Sequence, residues 1–496
     1  MPELTGTPKQ QVAVVGGGVA GLVTALQLRD GARAGGRDLA VTLFEKEQEP
    51  GGNLRTLRLD GWQLEWGPNG FLDNEPATLR LVERLGLNEQ LERSSDLARR
   101  RFLVVANRLQ EIPTAPGPFL RSGMLSTGAK LRMAGELFVP RRKNLGQADV
   151  DPDTDETVAQ FGNRRLGAGF TETLLDPMVK GIFGGNAHNL SLAAAFPRMV
   201  ELEQQYGGLF KAMISLGRQR RKEGKGSGDG ASGGPSGTLH SFKGGMEVLI
   251  RALVDALEGD PQVEFQRGQP VDQLTYADGH WWVTAEGGST GPFTAVINAA
   301  PAHAAADQLQ QQAPEISSLL RQIPYAPMAV IALGFDRQMV GHDLQGFGML
   351  IPSQEKRELL GALWTSSIFQ GRAPDGKVLI RCMAGGADNP AILELNDEEL
   401  VTLALAELRQ LMELRGSPVL QNVIRHERAI AQYVPGHPAR LRSLANETSR
   451  WPGLYLTGSS YKGISVNYCV KEAEITADQV LAALQETTPS TPREAH

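Results

Sequence analysis

The run Val12-Ala13-Val14-Val15-Gly16-Gly17-Gly18-Val19-Ala20-Gly21 opens this chain on an apolar segment that passes directly into a glycine-rich turn. Apolar residues at helical spacing follow from Leu22, and a second apolar run ends at Glu45. The order of strand, glycine turn, helix, strand and terminal acid is typical of a dinucleotide-binding unit. We therefore predict that the N-terminal part of the chain is such a unit.

Each glycine of the turn has its own physical role. Gly16 permits a tight turn, Gly18 lets a pyrophosphate approach the backbone, and Gly21 lets the helix lie close to the strand. The start of the helix presents unpaired N–H groups and a positive dipole end to the phosphates. Glu45 is placed to accept hydrogen bonds from a ribose, so an adenine dinucleotide is predicted, with an ordinary βαβ turn as the alternative. The predicted contacts of the turn are Gly16, Gly17, Gly18, Val19, Ala20 and Gly21.

Length and composition indicate an ordinary globular protein. The 496 residues are too many for one core, which predicts two or three domains. The 50 basic and 56 acidic residues give a net charge of −6, so no general attraction to nucleic acid is expected. Two cysteines without a CxxC pair, and eight histidines without an HxxxH or HExxH pair, predict neither a disulfide framework nor a metal site.

No apolar run of the sequence reaches the roughly 18–20 residues of a membrane-spanning helix. Residues 1–11 are too short and polar for a signal peptide, so we expect a cytoplasmic protein, soluble or on the membrane surface. The amphipathic stretch 117–142 predicts a helix through Leu125, Leu131, Met133 and Leu137 with a basic end, which suits a membrane surface or, equally, a core helix with a solvated end. Residues 218–237 predict a flexible loop.

Three further segments extend the predicted nucleotide site. Gly52 lies in a tight turn, and Arg55 can neutralise phosphate. The loop Gly67-Pro68-Asn69-Gly70 has little side-chain bulk and can pass close to a flat ring, although a plain surface turn explains it as well. Near the C-terminus, a strand ending at Gly458 precedes a helix from Val466, whose positive end can stabilise a reduced flavin. Nicotinamide dehydrogenases do not require this element, and the predicted dinucleotide is therefore FAD.

These motifs resemble the protoporphyrinogen oxidase family within the amine-oxidase-like flavoproteins, over nearly the whole chain. The matching runs are residues 16–21, 67–69, 176–185, 190–191, 196–197, 242–245, 346–352, 430–433, 436–437 and 458–470, together with Phe369. The resemblance implies an α/β fold, in which a Rossmann-like FAD-binding domain is interleaved with an α+β substrate domain and a helical membrane-binding region. The implied segments are 9–88, 239–302 and 428–485 for FAD, 303–427 for the substrate, and 110–215 for the membrane.

The resemblance also implies roles for individual residues. Glu45 and Lys46 would lie at the adenosine end of FAD, with the backbone of Val271 near the adenine. His426 occupies a position that a flavin-contacting tryptophan often holds. The flavin ring would be lined by residues 67–70 and by Ile464, Ser465 and Val466, and Gly458 belongs to the same cofactor-binding set.

For the substrate, the resemblance assigns five residues. Arg101 matches an arginine that pairs with a propionate, and Gly181 matches a glycine whose backbone faces the tetrapyrrole. Leu333, Leu350 and Phe369 match apolar residues that sandwich its rings. The basic run Arg99-Arg100-Arg101 is by itself equally typical of a solvated patch.

The implied reaction is the oxidation of protoporphyrinogen IX to protoporphyrin IX by molecular oxygen in haem biosynthesis. Because the cofactor supplies the chemistry, no catalytic side chain is predicted, and His437 is interpreted as structural. The alternatives are coproporphyrinogen III oxidation on the same fold, amine or carotenoid oxidation, and a non-enzymatic flavin or tetrapyrrole carrier. The sequence permits a homodimer without requiring one.

Overall fold

The computed structural model describes residues 10–222 and 237–486, so most of the predicted loop at 218–237 lies outside the described residues. Two sheets organise the described chain: a five-stranded parallel sheet, here the nucleotide sheet, and a seven-stranded mixed sheet. In spatial order, the nucleotide sheet consists of Val263–Arg267, Leu39–Glu45, Gln10–Val15, Ala295–Asn298 and Leu454–Leu456. Each of the three predicted FAD segments thus supplies at least one of its strands.

The nucleotide sheet is buried on both faces, which explains its continuous apolar strands. Val12 and Val14 pack on one face and Ala13 and Val15 on the other. The first face is covered by the helices Val19–Ala34, Pro76–Arg84, Glu247–Leu257 and Val466–Glu486. The second is covered by the helices Ala302–Leu309 and Pro314–Arg321 and by a small antiparallel sheet of Val271–Ala277, His280–Ala285 and Gly288–Phe293.

The mixed sheet lies beside this unit and has two unlike faces. Its strands, in order, are Leu420–Ala431, Tyr325–Asp336, Lys377–Gly385, Leu359–Leu363, Gly348–Leu350, Phe102–Val105 and Arg108–Glu111. The face that packs on the helix Asp397–Met412 is called the outer face and carries Ile331 and Phe335. The inner face carries Val330 and Ala332, which pack with Trp66 and Trp62 from the N-terminal segment.

Shorter elements connect the two sheets. The strands Thr56–Leu59 and Trp62–Glu65 form a hairpin, and Phe71–Leu72, Leu239–Phe242 and Leu91–Arg93 form a small sheet. The helices Thr365–Ile368 and His437–Thr448 complete this part of the chain.

The helical region contains short helices, and the amphipathic helix predicted through Leu125, Leu131, Met133 and Leu137 is shorter than expected, since it spans Thr127–Ala134 and continues as the 3-10 turn Gly135–Phe138. It begins only after Leu125, because Ser126 Oγ accepts a hydrogen bond from Ala129 N at 3.2 Å and caps the helix. The helical segments of the region are Pro116–Arg121, Thr127–Ala134, Val158–Arg165, Ala168–Phe170, the π turn Thr171–Leu175, Asp176–Phe183, Leu192–Ala195, Pro197–Tyr206 and Leu209–Lys222.

A buried ionic cluster holds these short helices together. Arg165, Glu136 and Glu203 have fully buried side chains, and Arg165 Nη1 lies 3.2 Å from Glu203 Oε1 and Nε 2.8 Å from Glu136 Oε1. Glu136 also accepts the backbone N–H of Leu209 at 2.8 Å, which caps the last helix of the region. One carboxylate therefore joins two helices and a connecting turn.

We expect Glu136→Gln to lower the free energy of unfolding by about 3 kcal/mol, because it leaves the buried charge of Arg165 without its main partner. Urea denaturation measures the change. The matched control is Glu201→Gln, which removes an exposed ion pair with Arg198 and should cost less than about 1 kcal/mol. Equal costs for the two variants would contradict the anchoring role of the cluster.

Candidate active site

The glycine turn between the first strand and helix is closed on its protein side and open on the other. Gly16 has φ +105°, and a Cβ there would lie 3.2 Å from the carbonyl carbon of Ala299. A Cβ at Gly21 would overlap the Gly16 carbonyl oxygen, so only glycine allows this approach of helix to strand. A Cβ at Gly18 would meet nothing within 4 Å. The turn is thus tightly packed where it meets protein and leaves space where a phosphate would approach.

Glu45 lies directly beneath this turn. Its Oε2 accepts a hydrogen bond from Gly17 N at 2.6 Å, and its Oε1 accepts one from Glu47 N at 2.9 Å. Each carboxylate oxygen keeps a further lone pair, so both remain able to accept a ribose hydroxyl. Lys46, by contrast, is 72% exposed and lies 3.6 Å from Glu47.

Two hydrogen bonds to backbone carbonyls place the segment around Val271 beside Glu45. Gln269 N donates to the Glu45 carbonyl at 2.9 Å, which sets the strand that begins at Val271 beside Glu45. The Val271 carbonyl accepts a hydrogen bond from Gln308 Nε2 at 3.1 Å. Val271 therefore lies at the same end of the sheet as Glu45, with its carbonyl already bound to protein.

The segment after the second strand folds back over the glycine turn. Gly51 N donates to the Gly17 carbonyl at 2.9 Å, and a Cβ at Gly52 would lie 3.5 Å from the Gly18 Cα. The guanidinium of Arg55 lies 5.4 Å from the centre of the Trp66 ring. Its Nη2 donates to the Glu49 carbonyl at 3.2 Å, and its buried Nε has no partner among the described residues.

The loop Gly67-Pro68-Asn69-Gly70 is held by its backbone. A Cβ at Gly67 or Gly70 would overlap a neighbouring carbonyl oxygen, so the chain passes here without room for side chains. The Trp66 carbonyl accepts from His426 Nε2 at 3.0 Å, and burial lowers the pKa of His426. Asn69 is 8% exposed, yet neither polar atom of its amide has a partner among the described residues. A buried amide of this kind is satisfied by a bound ligand or by ordered water.

The C-terminal element reaches this loop. Asn467 Nδ2 donates to the Leu72 carbonyl at 2.7 Å, and Thr78 Oγ1 donates to Asn467 Oδ1 at 2.6 Å. Ser465 Oγ accepts from Tyr468 N at 3.3 Å, so Ser465 caps the helix Val466–Glu486 and Ile464 lies just ahead of it. The start of a second helix is therefore adjacent to the loop of Asn69.

Gly458 joins the C-terminal element to the glycine turn, because a Cβ at Gly458 would lie 3.9 Å from the Ala20 Cβ. The sequence-predicted residues of the turn, the loop and the C-terminal element thus converge at the carboxyl ends of the nucleotide-sheet strands. Open space at Gly18, the unsatisfied amide of Asn69 and two helix starts fit a long dinucleotide.

Four of the five predicted substrate residues lie along one side of the mixed sheet. A Cβ at Gly181 would lie 2.6 Å from Leu350 Cδ2, so these two residues face each other. Leu350 is half-buried, whereas its neighbour Met349 is buried in the outer-face core. Phe369 packs with Phe347, and the Arg101 guanidinium lies 5.7 Å from the Phe347 ring.

Leu333 does not join this group. It is fully buried on the outer face, where it packs with Leu400 and Leu408 of the covering helix. Successive side chains of a strand point to opposite faces, so Leu333 and the inner-face residue Ala332 point apart. The structure places Leu333 away from the predicted substrate side, contrary to the substrate contact expected of it.

Arg381 contacts the loop of the predicted flavin site, although no motif of the sequence pointed to it. Its Nη2 donates to the Gly67 carbonyl at 2.8 Å. In the sequence, Arg381 can be noticed as one charged residue within the apolar run Val378-Leu379-Ile380-Arg381-Cys382. A charge in a strand buried on both faces needs a polar partner, and that partner is the loop.

The comparison with protein families identifies the chain. A family model described as flavin containing amine oxidoreductase matches residues 19–481. The chain belongs to the flavin-containing amine oxidoreductases. The predicted cofactor, FAD, and the predicted class of oxidoreductase are confirmed. When bound, FAD accepts the electrons that leave the substrate, while the protein holds and orients both.

Curated relatives of this flavin-containing oxidoreductase cover almost the whole chain. Coproporphyrinogen III oxidase of Bacillus subtilis (strain 168) is 28% identical, over 96% of this chain and 99% of the relative. Coproporphyrinogen III oxidase of Propionibacterium freudenreichii subsp. freudenreichii is 30% identical, over 97% of this chain and 92% of the relative. The mitochondrial protoporphyrinogen oxidase of Nicotiana tabacum is 28% identical, over 98% of this chain and 97% of the relative. The resemblance stated from the motifs is confirmed.

Solved structures confirm the predicted α/β fold. A protein of Exiguobacterium sp. 255-15, provisionally classed as a protoporphyrinogen oxidase, has a TM-score of 0.79 and 24% identity, over 97% of this chain and all of the other. Cyclohexylamine oxidase of Brevibacterium oxydans IH-35A has a TM-score of 0.65 and 16% identity, over 96% of this chain and all of the other.

His437 packs behind the loop of residues 458–463, which precedes the predicted flavin contacts. Its ring stacks on Tyr433 at 4.3 Å, and its Nε2 donates to the Tyr461 carbonyl at 2.8 Å. Tyr433 OH donates to the Ser459 carbonyl at 2.7 Å and accepts from Gly463 N at 2.8 Å. These contacts are structural, in keeping with the interpretation of His437 from the sequence. Burial lowers the pKa of His437 to about 4.

Gly18→Ala and Gly21→Ala should separate cofactor binding from folding. Gly18 has φ −73° and open space, so alanine there should leave the melting temperature of the apoprotein unchanged and weaken FAD binding about tenfold by blocking a phosphate. Gly21→Ala should lower both the melting temperature of the apoprotein and the affinity for FAD, because the turn itself must open to admit the Cβ. Thermal melting of apoprotein and titration with FAD measure the two quantities. Wild-type FAD affinity in Gly18→Ala would contradict the phosphate assignment.

We also expect His437 to make stability depend on pH. In the unfolded chain His437 becomes protonated below its ordinary pKa of 6.5, whereas in the folded protein it stays neutral down to about pH 4. As the pH is lowered from 6.5 to about 4, the free energy of unfolding should therefore fall by about 1.4 kcal/mol per pH unit. His437→Gln, which can still donate to Tyr461, should make the slope shallower by that amount in urea titrations, with exposed His188→Gln as the control. An unchanged slope would contradict the assignment.

Proposed function

We propose that the chain oxidises protoporphyrinogen IX to protoporphyrin IX, with FAD as cofactor and molecular oxygen as final acceptor. The single observation that carries the proposal is the arrangement of Gly181, Leu350, Phe369 and Arg101 along one side of the mixed sheet. Gly181 has no side chain and Leu350 packs directly on it, so both contribute apolar surface, which suits an apolar macrocycle. The names of the curated relatives support the same substrate class.

Arg101 is the residue proposed to bind a substrate carboxylate. It is exposed and has no carboxylate partner among the described residues. Its guanidinium is fixed over the Phe347 ring, which leaves its N–H groups available for a bidentate contact with a propionate. A cation held ready without a protein partner is expected where an anionic substrate binds.

The neighbouring arginines bear on the choice between the two porphyrinogens. Arg100 is paired with Glu111 at 2.8 Å, and Arg99 lies 3.5 Å from Asp96. Their charges are therefore already compensated, and Arg101 is left for the substrate. A tetracarboxylate such as coproporphyrinogen III calls for more free cations than a dicarboxylate, which favours protoporphyrinogen IX. Coproporphyrinogen III stays the second candidate, because two of the relatives above carry its name.

Arg101→Gln should raise the KM for protoporphyrinogen IX about tenfold through loss of a charged contact, and leave flavin content unchanged. Porphyrin fluorescence follows the reaction, and Arg108→Gln, on the next strand, is the matched control.

Faster turnover of coproporphyrinogen III by the wild type would reverse the substrate choice. Binding of either porphyrinogen without release of peroxide would instead support a carrier, and loss of flavin would contradict the role of Arg101.

A second proposal concerns location. We infer that the helical region rests on the cytoplasmic face of a membrane, because Leu120, Leu131 and Phe138 are 50%, 71% and 87% exposed and Arg141 and Lys143 lie close by in the sequence. The structure contains no helix, within residues 10–222 and 237–486, that is long and apolar enough to cross a bilayer.

Phe138→Asp should reduce co-flotation with vesicles of zwitterionic and anionic lipid, because it places a charge on the exposed apolar surface. Val419→Asp, an exposed apolar residue outside the helical region, is the control. Equal flotation of both variants and the wild type would contradict the membrane proposal.

A further inference from the structure

Arg381 is a charged side chain in an otherwise apolar, buried strand. It is 7% exposed, and its neighbours Ile380 and Cys382 are fully buried in the outer-face core. Side chains alternate along a strand, so Arg381 points to the inner face. There it pairs in register with Ala332 on one side and Leu363 on the other.

The contacts of Arg381 are with backbone oxygen atoms of the loop that begins at Gly67. Its Nη2 donates to the Gly67 carbonyl at 2.8 Å and lies 3.4 Å from the Trp66 carbonyl. The latter also accepts from His426 Nε2 at 3.0 Å. A loop built on glycine offers little side-chain surface for packing, so hydrogen bonds to its carbonyls fix its course instead.

The charge of Arg381 is poorly compensated by protein. Glu65 is the carboxylate that acts on it, and Glu65 is already occupied by Thr56 Oγ1 at 2.8 Å and Met246 N at 3.2 Å. Burial lowers the pKa of Arg381 to about 10, so the side chain remains protonated at neutral pH. Its Nε is buried without a partner among the described residues. An apolar residue of similar length would avoid the cost of burying this charge.

We propose that Arg381 is a positioning residue for the flavin. Its guanidinium fixes the carbonyls of Trp66 and Gly67, and through them the loop of Asn69, and it presents a buried positive charge at that end of the cofactor site. The inference rests on the FAD cofactor of the family and on the predicted place of residues 67–70 at the flavin ring. It is independent of which substrate is oxidised.

The test compares Arg381→Met and Arg381→Lys with the wild type, through FAD titration, visible circular dichroism of bound flavin and melting of apoprotein. Arg381→Met should weaken FAD binding about tenfold and change the flavin dichroism, while the melting temperature of the apoprotein stays the same or rises. Arg381→Lys keeps the charge and one donor group, so its FAD affinity and flavin dichroism should lie between those of Arg381→Met and the wild type. A role in folding alone would instead lower the melting temperature and leave the dichroism of bound flavin unchanged.

The matched control is Arg337→Met, which also removes an arginine that donates to two carbonyls, those of Val340 at 2.7 Å and His342 at 3.0 Å. It should leave FAD affinity and flavin dichroism unchanged. Wild-type values of both in Arg381→Met would overturn the proposal. If Arg381→Met does not fold, Arg381→Lys decides: weaker FAD binding with altered dichroism supports the proposal, and wild-type values of both overturn it.

Discussion

The close approach of the first helix to the strand before it is the constraint on which the site depends. At Gly21 the helix backbone lies so near the Gly16 carbonyl that a Cβ cannot be placed between them. This contact sets the helix start at the end of the strand and leaves Gly18 open. The Glu45 carboxylate then binds Gly17 N at 2.6 Å and joins the second strand to the turn. Every other cofactor segment is placed relative to this unit.

The long-range contacts show how distant segments complete the site. Gly51 binds the glycine turn through its backbone, Asn467 binds the Leu72 carbonyl, and Arg381 binds the Gly67 carbonyl. In each case the contact joins segments that are far apart in the chain through a backbone carbonyl. The cofactor site is therefore built mainly from main-chain geometry, which explains why most of its predicted residues are glycines or lie beside them.

The two faces of the mixed sheet have different surroundings. The outer face is sealed by the helix Asp397–Met412, while the inner face carries Arg381 and faces the N-terminal hairpin. The resemblance assigned Leu333 and Leu350 to the same substrate, but a shift of one residue along a strand changes the face on which a side chain lies. Leu333 is on the sealed face, while Leu350 meets Gly181. The helix predicted through Leu125 begins later for a local reason, since Ser126 caps its start.

The sequence by itself determined the dinucleotide-binding unit, because strand, glycine turn, helix and acid are local features with steric causes that can be read residue by residue. It also determined, through motifs spread along the chain, the flavoprotein family. Only the tertiary structure decided which side chains share a face and which buried polar atoms lack a partner. Arg381 and Gly67 are far apart in the chain, and a contact at 2.8 Å between them depends on how two sheets pack, which no local pattern encodes.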